Sequence, residues 1–219
     1  MKKVVEFDEI RHLFTDGMTI MSSGFMGCGA ADYLIERVVD LDIKDITLIS
    51  TDTASPGKGA SKFIASGRVR KLIASHIGTN PDTGRLMNEG KLEVELVPQG
   101  TLAERIRAGG FGLGGILTPT GVGTAVEQGK RKIEVGGKEY LLELPLRADI
   151  ALLLGSVVDD FGNVYYKGTT RNFNPLMAMA ANTVVVLARK LVRVGGIDPN
   201  DVMTPGIVVD YVVSEEGKK

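Results

Sequence analysis

Residues 16–31 read D-G-M-T-I-M-S-S-G-F-M-G-C-G-A-A, and the rest of the chain is organised around them. The apolar run 18–22 is a short strand that opens into a loop with glycine at 24, 27 and 29. Tyr33, Leu34, Ile35, Val38 and Val39 then recur at helical spacing. Glycine reaches positive φ and lets another group approach the main chain closely. A helix that starts just past such a loop turns its free N–H groups back toward it, which suits a phosphate or a carboxylate.

Outward from this stretch, Phe7, Ile10, Leu13 and Phe14 share a helical face, and Gly17 stands where that helix would end. Asp32 sits near the start of the next helix, where a negative charge suits the dipole. Residues 46–50 (I-T-L-I-S) predict a buried strand. The alternation continues with a loop at 51–61, a short helix at 62–66 and a strand at 69–74. A polar loop at 75–81 (S-H-I-G-T-N-P), a short helix at 85–88 and a strand at 92–97 follow. A third loop at 98–101 (P-Q-G-T) leads into a helix at 102–108. Strand ends that keep opening into polar loops before helices predict an α/β fold: an open, mostly parallel sheet flanked by helices. In such sheets ligands bind beyond the carboxyl ends of the strands, so the loops after Ser22, Ser50, Ala74 and Val97 are expected to line one site.

Residues 108–123 hold seven glycines without helical or strand period, and predict a structured loop packed against another surface. Residues 132–135 and 138–144 around Gly136-Gly137 predict an inserted β-hairpin, and 157–158 with 164–166 a second. Strands are expected at 150–154 and 183–187. A helix at 174–181 would take Asn174 as its cap and Pro175 as its first residue. A last strand is expected at 207–213 and a solvated charged tail at 214–219. No linker or internal repeat divides the chain, so a single domain is expected over 1–219.

The 219 residues carry 43% hydrophobic and 24% charged side chains and a formal charge of −1, as an ordinary soluble globular chain would. No basic block points to nucleic acid. No apolar run reaches the roughly 18 residues of a membrane span. The N-terminal M-K-K-V-V-E-F-D-E-I is too acidic for a signal peptide. One cysteine, Cys28, excludes an internal disulfide framework, and a cytoplasmic location is expected. The 28 glycines are about twice the usual share of roughly 7%.

The glycine loop is not a dinucleotide fingerprint, because Asp32 stands where the third glycine belongs, and the chain has no P-loop. Cys28 has no histidine near it in sequence and reads as a small buried filler. His12 falls on a surface helix; His76, just past a strand, reads as a pocket-liner without the companions a zinc site needs. Asn88-Glu89-Gly90 and Ser214-Glu215-Glu216-Gly217 read as solvated surface. The chain has binding loops and no nucleophile of its own.

The stretch from Asp16 to Gly29 resembles the signature of the α subunits of family I coenzyme A transferases. T-D-T at 51–53, S-H-I-G-T-N-P at 75–81, P-Q-G-T-L at 98–102, G-V-G-T at 121–124 and R-N-F-N-P at 171–175 resemble that family's motifs, in order and over nearly the whole chain. Ser22, Ser23 and Ala31 depart from the signature, as Thr51 does from a frequent asparagine. The resemblance implies a CoA-transferase-like fold and a partner β subunit, often in an α2β2 assembly. It implies coenzyme A as substrate, no permanently bound cofactor and no metal, with acyl-CoA and short-chain carboxylates as reactants. It places CoA binding on Ser23, Gly24, Phe25, Met26, Gly27, Cys28 and Gly29, an oxyanion-stabilising amide on Gln99, and the nucleophilic glutamate on the β subunit. Ser23 is expected to alter the loop's shape or its hold on CoA slightly. The alternative reading is a CoA-ester-binding relative without catalysis, acting as a regulatory or binding module.

Overall fold

A computed structural model describes residues 3–216. In chain order, α1 (Phe7–Ile10) leads to β1 (Thr19–Ser22), α2 (Asp32–Val39) and β2 (Ile46–Ser50). Next come α3 (Ser61–Ala65), β3 (Val69–Ala74), α4 (Pro81–Asn88), β4 (Glu93–Leu96) and α5 (Gln99–Gly110). An inserted segment carries β5 (Ile116–Thr118), β6 (Lys132–Val135) and β7 (Lys138–Glu143). The chain then forms β8 (Ala148–Gly155), β9 (Val157–Asp159), β10 (Val164–Tyr165), α6 (Asn174–Ala180), β11 (Ala181–Ala188), β12 (Leu191–Val192) and β13 (Tyr211–Ser214).

Seven strands form one sheet in the order β13-β11-β8-β1-β2-β3-β4, and every neighbouring pair is parallel. Parallel strands covered on both faces are apolar throughout, and β8 shows it. Ile150, Leu152 and Leu154 pack with Leu34, Ile35 and Phe63 under α1 to α4, while Ala151 and Leu153 pack with Leu102, Ile106 and Met177 under α5 and α6. β1 lies centrally; β2, β3 and β4 build outward on one side, and β8 then returns to its other side. That reversal puts a topological switch point between the carboxyl ends of β1 and β8, the place where open α/β sheets bind ligands.

Several boundaries differ from the sequence-based expectation. α5 begins at Gln99 and runs through Gly109 and Gly110, which composition alone assigns to a loop. A Cβ on Gly109 would lie 1.9 Å from the Leu146 carbonyl, and one on Gly110 would lie 2.7 Å from Met179 Cβ. Helix packing thus requires bare backbone there, and it outweighs the poor helix propensity of glycine. The glycine run also contains a strand, β5, which pairs antiparallel with β7 and turns the expected 132–144 hairpin into a three-stranded sheet. α4 starts four residues early, at Pro81, because the Asn80 side chain caps it through the Asp82 amide. The 157–166 hairpin gains a parallel third strand, β12. Of the last expected strand only 211–213 pairs, and Ser214 joins it rather than the tail; the tail's residues 217–219 lie outside the described residues.

Arg105 ties the inserted sheet to the main one. Its Nε donates to the Leu144 carbonyl at 2.8 Å and its guanidinium pairs with Glu95 at 2.7 Å. Burial alone would raise the Glu95 pKa, yet the hydrogen bonds from Arg105 and Lys71 hold it below the ordinary carboxylate value.

Candidate functional site

The glycine loop after β1 closes on itself as a two-residue hairpin. Phe25 and Cys28 exchange both main-chain hydrogen bonds, each at 2.9 Å, around Met26 at φ 53° and Gly27 at φ 82°. Positive φ at both central residues defines a type I′ turn, and it is uncommon for methionine. The turn presents Phe25 (51% exposed), Met26 (45%) and Cys28 outward. Cys28 is therefore not the buried filler its isolation in sequence suggests; its Sγ lies 3.0 Å from Thr169 Oγ1. Ser23 points the other way. It is buried, with Oγ in hydrogen-bond range of the Gly29 and Leu152 carbonyls, and Ser22 and Ala31 are fully buried beside it.

Two polar elements hold this turn. On one side, Asn172 accepts from Gly24 N at 3.3 Å and donates to the Cys28 carbonyl at 3.1 Å. Asn174, wholly buried, donates to the Gly29 and Thr170 carbonyls and accepts from Leu154 N at 2.9 Å. It is the first residue of α6 and its side chain caps nothing; Phe173 precedes the helix as its cap residue, and Pro175 keeps its place in the first turn. Gly29 must be glycine here, since a Cβ would stand 2.4 Å from Asn172 Nδ2.

On the other side lies the loop after β2. Asp52, 3% exposed, accepts from Met26 N at 2.9 Å, from Ala54 N at 2.7 Å and from Thr51 Oγ1 at 3.1 Å. Thr51 Oγ1 is also in hydrogen-bond range of the Gly24 carbonyl, and its single proton serves Asp52 or Gly24 at a time. Asp32 meets a neighbouring loop as well, accepting from Gly59 N and pairing with Lys62 at 2.6 Å.

Gln99 is exposed as the first residue of α5, directly past the end of β4. Its Oε1 is within hydrogen-bond range of Ser75 Oγ, which lies 2.6 Å from the Thr51 carbonyl. A single hydroxyl proton serves one of those two acceptors at a time. The NH2 group of Gln99 has no partner among the described residues. The loops after β1, β2, β3 and β4 thus meet along one edge, as their polar character predicts. A cleft of about 490 Å³ lies between α5 and β5, lined by Thr101, Ile116 and Leu117. His76 is exposed just past β3, forming an isolated bridge with Asp52, and His12 is exposed on the surface turn after α1. Among the described residues no group of three His, Cys, Asp or Glu side chains could hold a metal ion, and no helix is long and apolar enough to cross a membrane.

The family model described as Coenzyme A transferase matches residues 6–215. The chain belongs to the coenzyme A transferase family. Among curated relatives it is 56% identical, over 97% of its own length and 98% of theirs, to the acetoacetyl-CoA:acetate/butyrate CoA transferase alpha subunit of Clostridium acetobutylicum. It is 51% identical to the acetate CoA-transferase subunit alpha of Escherichia coli K12, over 99% of both chains. In fold it is similar to an acyl-CoA transferase of E. coli O157:H7 solved as a thioester complex with CoA, with a TM-score of 0.86 at 24% identity. All of this transferase chain is covered in that match, and it spans about half (48%) of the solved chain. Glutaconate CoA-transferase of Acidaminococcus fermentans shares the fold at a TM-score of 0.83 and 18% identity, over 97% of this chain and 75% of that one.

Two features of this edge were not assigned from sequence: the clamp from Asn172 and Asn174, and the cradle from Thr51 and Asp52. Both motifs are visible as polar residues. Their targets, main-chain groups of a loop up to 148 positions away, leave no periodic trace.

Proposed function

We propose that this chain is the α subunit of a two-subunit CoA-transferase that moves CoA between a short-chain acyl-CoA and acetate or acetoacetate. The observation that carries the reading is identity above 50% to two α subunits over essentially their whole lengths. The exposed edge around Gln99 and the glycine turn supports it, since a β subunit would complete such a surface. The α2β2 stoichiometry, a cytoplasmic location, the absence of a resident cofactor and the folding of 1–219 as one domain belong to the same reading.

Within it, residues 23–29 hold the CoA ester: the exposed turn at Phe25, Met26, Gly27 and Cys28 meets it, and Ser23, Gly24 and Gly29 shape the turn from below. A glutamate of the β subunit attacks the thioester carbonyl, and CoA leaves as thiolate while an acyl-glutamyl anhydride forms. The thiolate then attacks the glutamyl carbonyl, the acyl group departs as carboxylate, and a glutamyl-CoA thioester remains. The acceptor carboxylate reverses these steps, so kinetics are ping-pong. Gln99 donates its free NH2 to the oxyanion of each tetrahedral state, a contact worth about 3 kcal/mol in such sites. The alternative, a CoA-ester-binding module without turnover, drew on Ser22, Ser23 and Ala31. All three are buried beneath the turn, and none reaches its open face.

The test is co-expression with the β subunit. The complex transfers CoA to acetate, the α chain alone does not, and Gln99→Ala lowers kcat by about two orders of magnitude without loss of assembly. Transfer by the α chain alone overturns the two-subunit reading.

A further inference from the structure

We infer that Thr51 and Asp52 are positioning residues that set the glycine turn in register with Gln99; this rests on the reading of 23–29 and Gln99 given above. A run of polar contacts, each within hydrogen-bond range, joins the two. Asp52 holds Met26 N at 2.9 Å, and Thr51 Oγ1 reaches both Asp52 and the Gly24 carbonyl. The Thr51 carbonyl meets Ser75 Oγ, which in turn meets Gln99 Oε1.

The chemistry of Asp52 makes a purely incidental role uneconomical. It is a carboxylate 3% exposed with no cation in ion-pair range among the described residues, and all its hydrogen bonds come from Met26 N, Ala54 N and Thr51 Oγ1. Burying a carboxylate is costly unless donors surround it, and one of these donors is the amide of the residue that adopts φ 53° in the turn. The carboxylate therefore holds an otherwise disfavoured main-chain conformation at the tip that presents Phe25 and Met26. Thr51 anchors the base of the same turn at Gly24. Since Thr51 also carries the carbonyl that Ser75 meets, a shift of the 51–54 loop moves the ester-holding turn and the amide donor together.

The experiment uses the assembled α–β enzyme and separates KM for the acyl-CoA from kcat. Asp52→Asn places an NH2 against main-chain donors; it is expected to raise KM for acyl-CoA about tenfold and to lower kcat, with assembly intact, as small displacements at a reacting centre do. Ser75→Ala lowers kcat alone, and the double variant loses less than the product of the two single effects because they act on one path. If Asp52→Asn does not assemble, Thr51→Val and Thr51→Ser decide: the valine variant raises KM and the serine variant restores it to within twofold of wild type. Kinetic constants within twofold of wild type for assembled Asp52→Asn, or for Thr51→Val, overturn the inference. Gln99→Ala distinguishes the two levels. If it is impaired while the 51 and 52 variants are silent, only the positioning role falls; if it too is silent, the site assignment itself falls.

Discussion

The side-chain amide of Asn174, fully buried at the start of α6, donates to the main-chain carbonyl of Gly29 at 3.2 Å. Because its Oδ1 accepts from Leu154 N at 2.9 Å, one side chain fastens the glycine loop to strand β8, the neighbour of β1. Asn174→Ala leaves a buried N–H and two carbonyls without that partner, and should cost about 3 kcal/mol. Urea denaturation checks this through a lower midpoint at unchanged slope. A midpoint equal to wild type would remove Asn174 from the clamp.

Two helical glycines should respond in opposite directions to alanine. In α4, Gly84 faces open space, so Gly84→Ala should stabilise by about 0.5–1 kcal/mol. In α5, a Cβ at Gly109 would collide with the Leu146 carbonyl, and Gly109→Ala should destabilise by on the order of 3 kcal/mol. Thermal unfolding of the two variants reads both signs.

Gly109 and its neighbour Gly110 also mark how far the sequence carries. The open parallel sheet was legible because β2, β8 and β11 are compact apolar runs separated by polar loops, a pattern local to each strand. The extension of α5 was not, because Gly109 and Gly110 oppose a helix locally and only Leu146 and Met179, far along the chain, explain them. The site divides in the same way. The glycine turn and Gln99 stand in recognisable motifs, whereas the outward face of Cys28 and the inward face of Ser23 depend on the hairpin closure between Phe25 and Cys28. Asn174 misled as a helix cap, since capping is the commonest use of asparagine beside a proline at a helix start.

Alkaline pH offers a third test, through Tyr166. Its hydroxyl is buried against Thr204 Oγ1 at 2.8 Å, and burial raises its pKa well above the usual tyrosine value, with the Thr204 hydrogen bond and the Arg171 charge opposing in part. The folded state therefore disfavours tyrosinate. Its contribution to stability is fully present below about pH 10, the unfolded tyrosine value, and is lost as pH rises toward the folded one. Tyrosinate absorbance should show one of the five tyrosines titrating only with unfolding, and Tyr166→Phe should abolish that late phase. A late phase that survives in Tyr166→Phe would contradict the assignment.

In the proposed reaction this chain holds the CoA ester and donates an amide while the nucleophile belongs to its partner. Intact-mass spectrometry of the assembled enzyme after incubation with an acyl-CoA, without acceptor, tests it most directly. A CoA thioester adduct is expected on the β subunit and none on this chain; an adduct on this chain would place the nucleophile here and overturn the proposed division of labour.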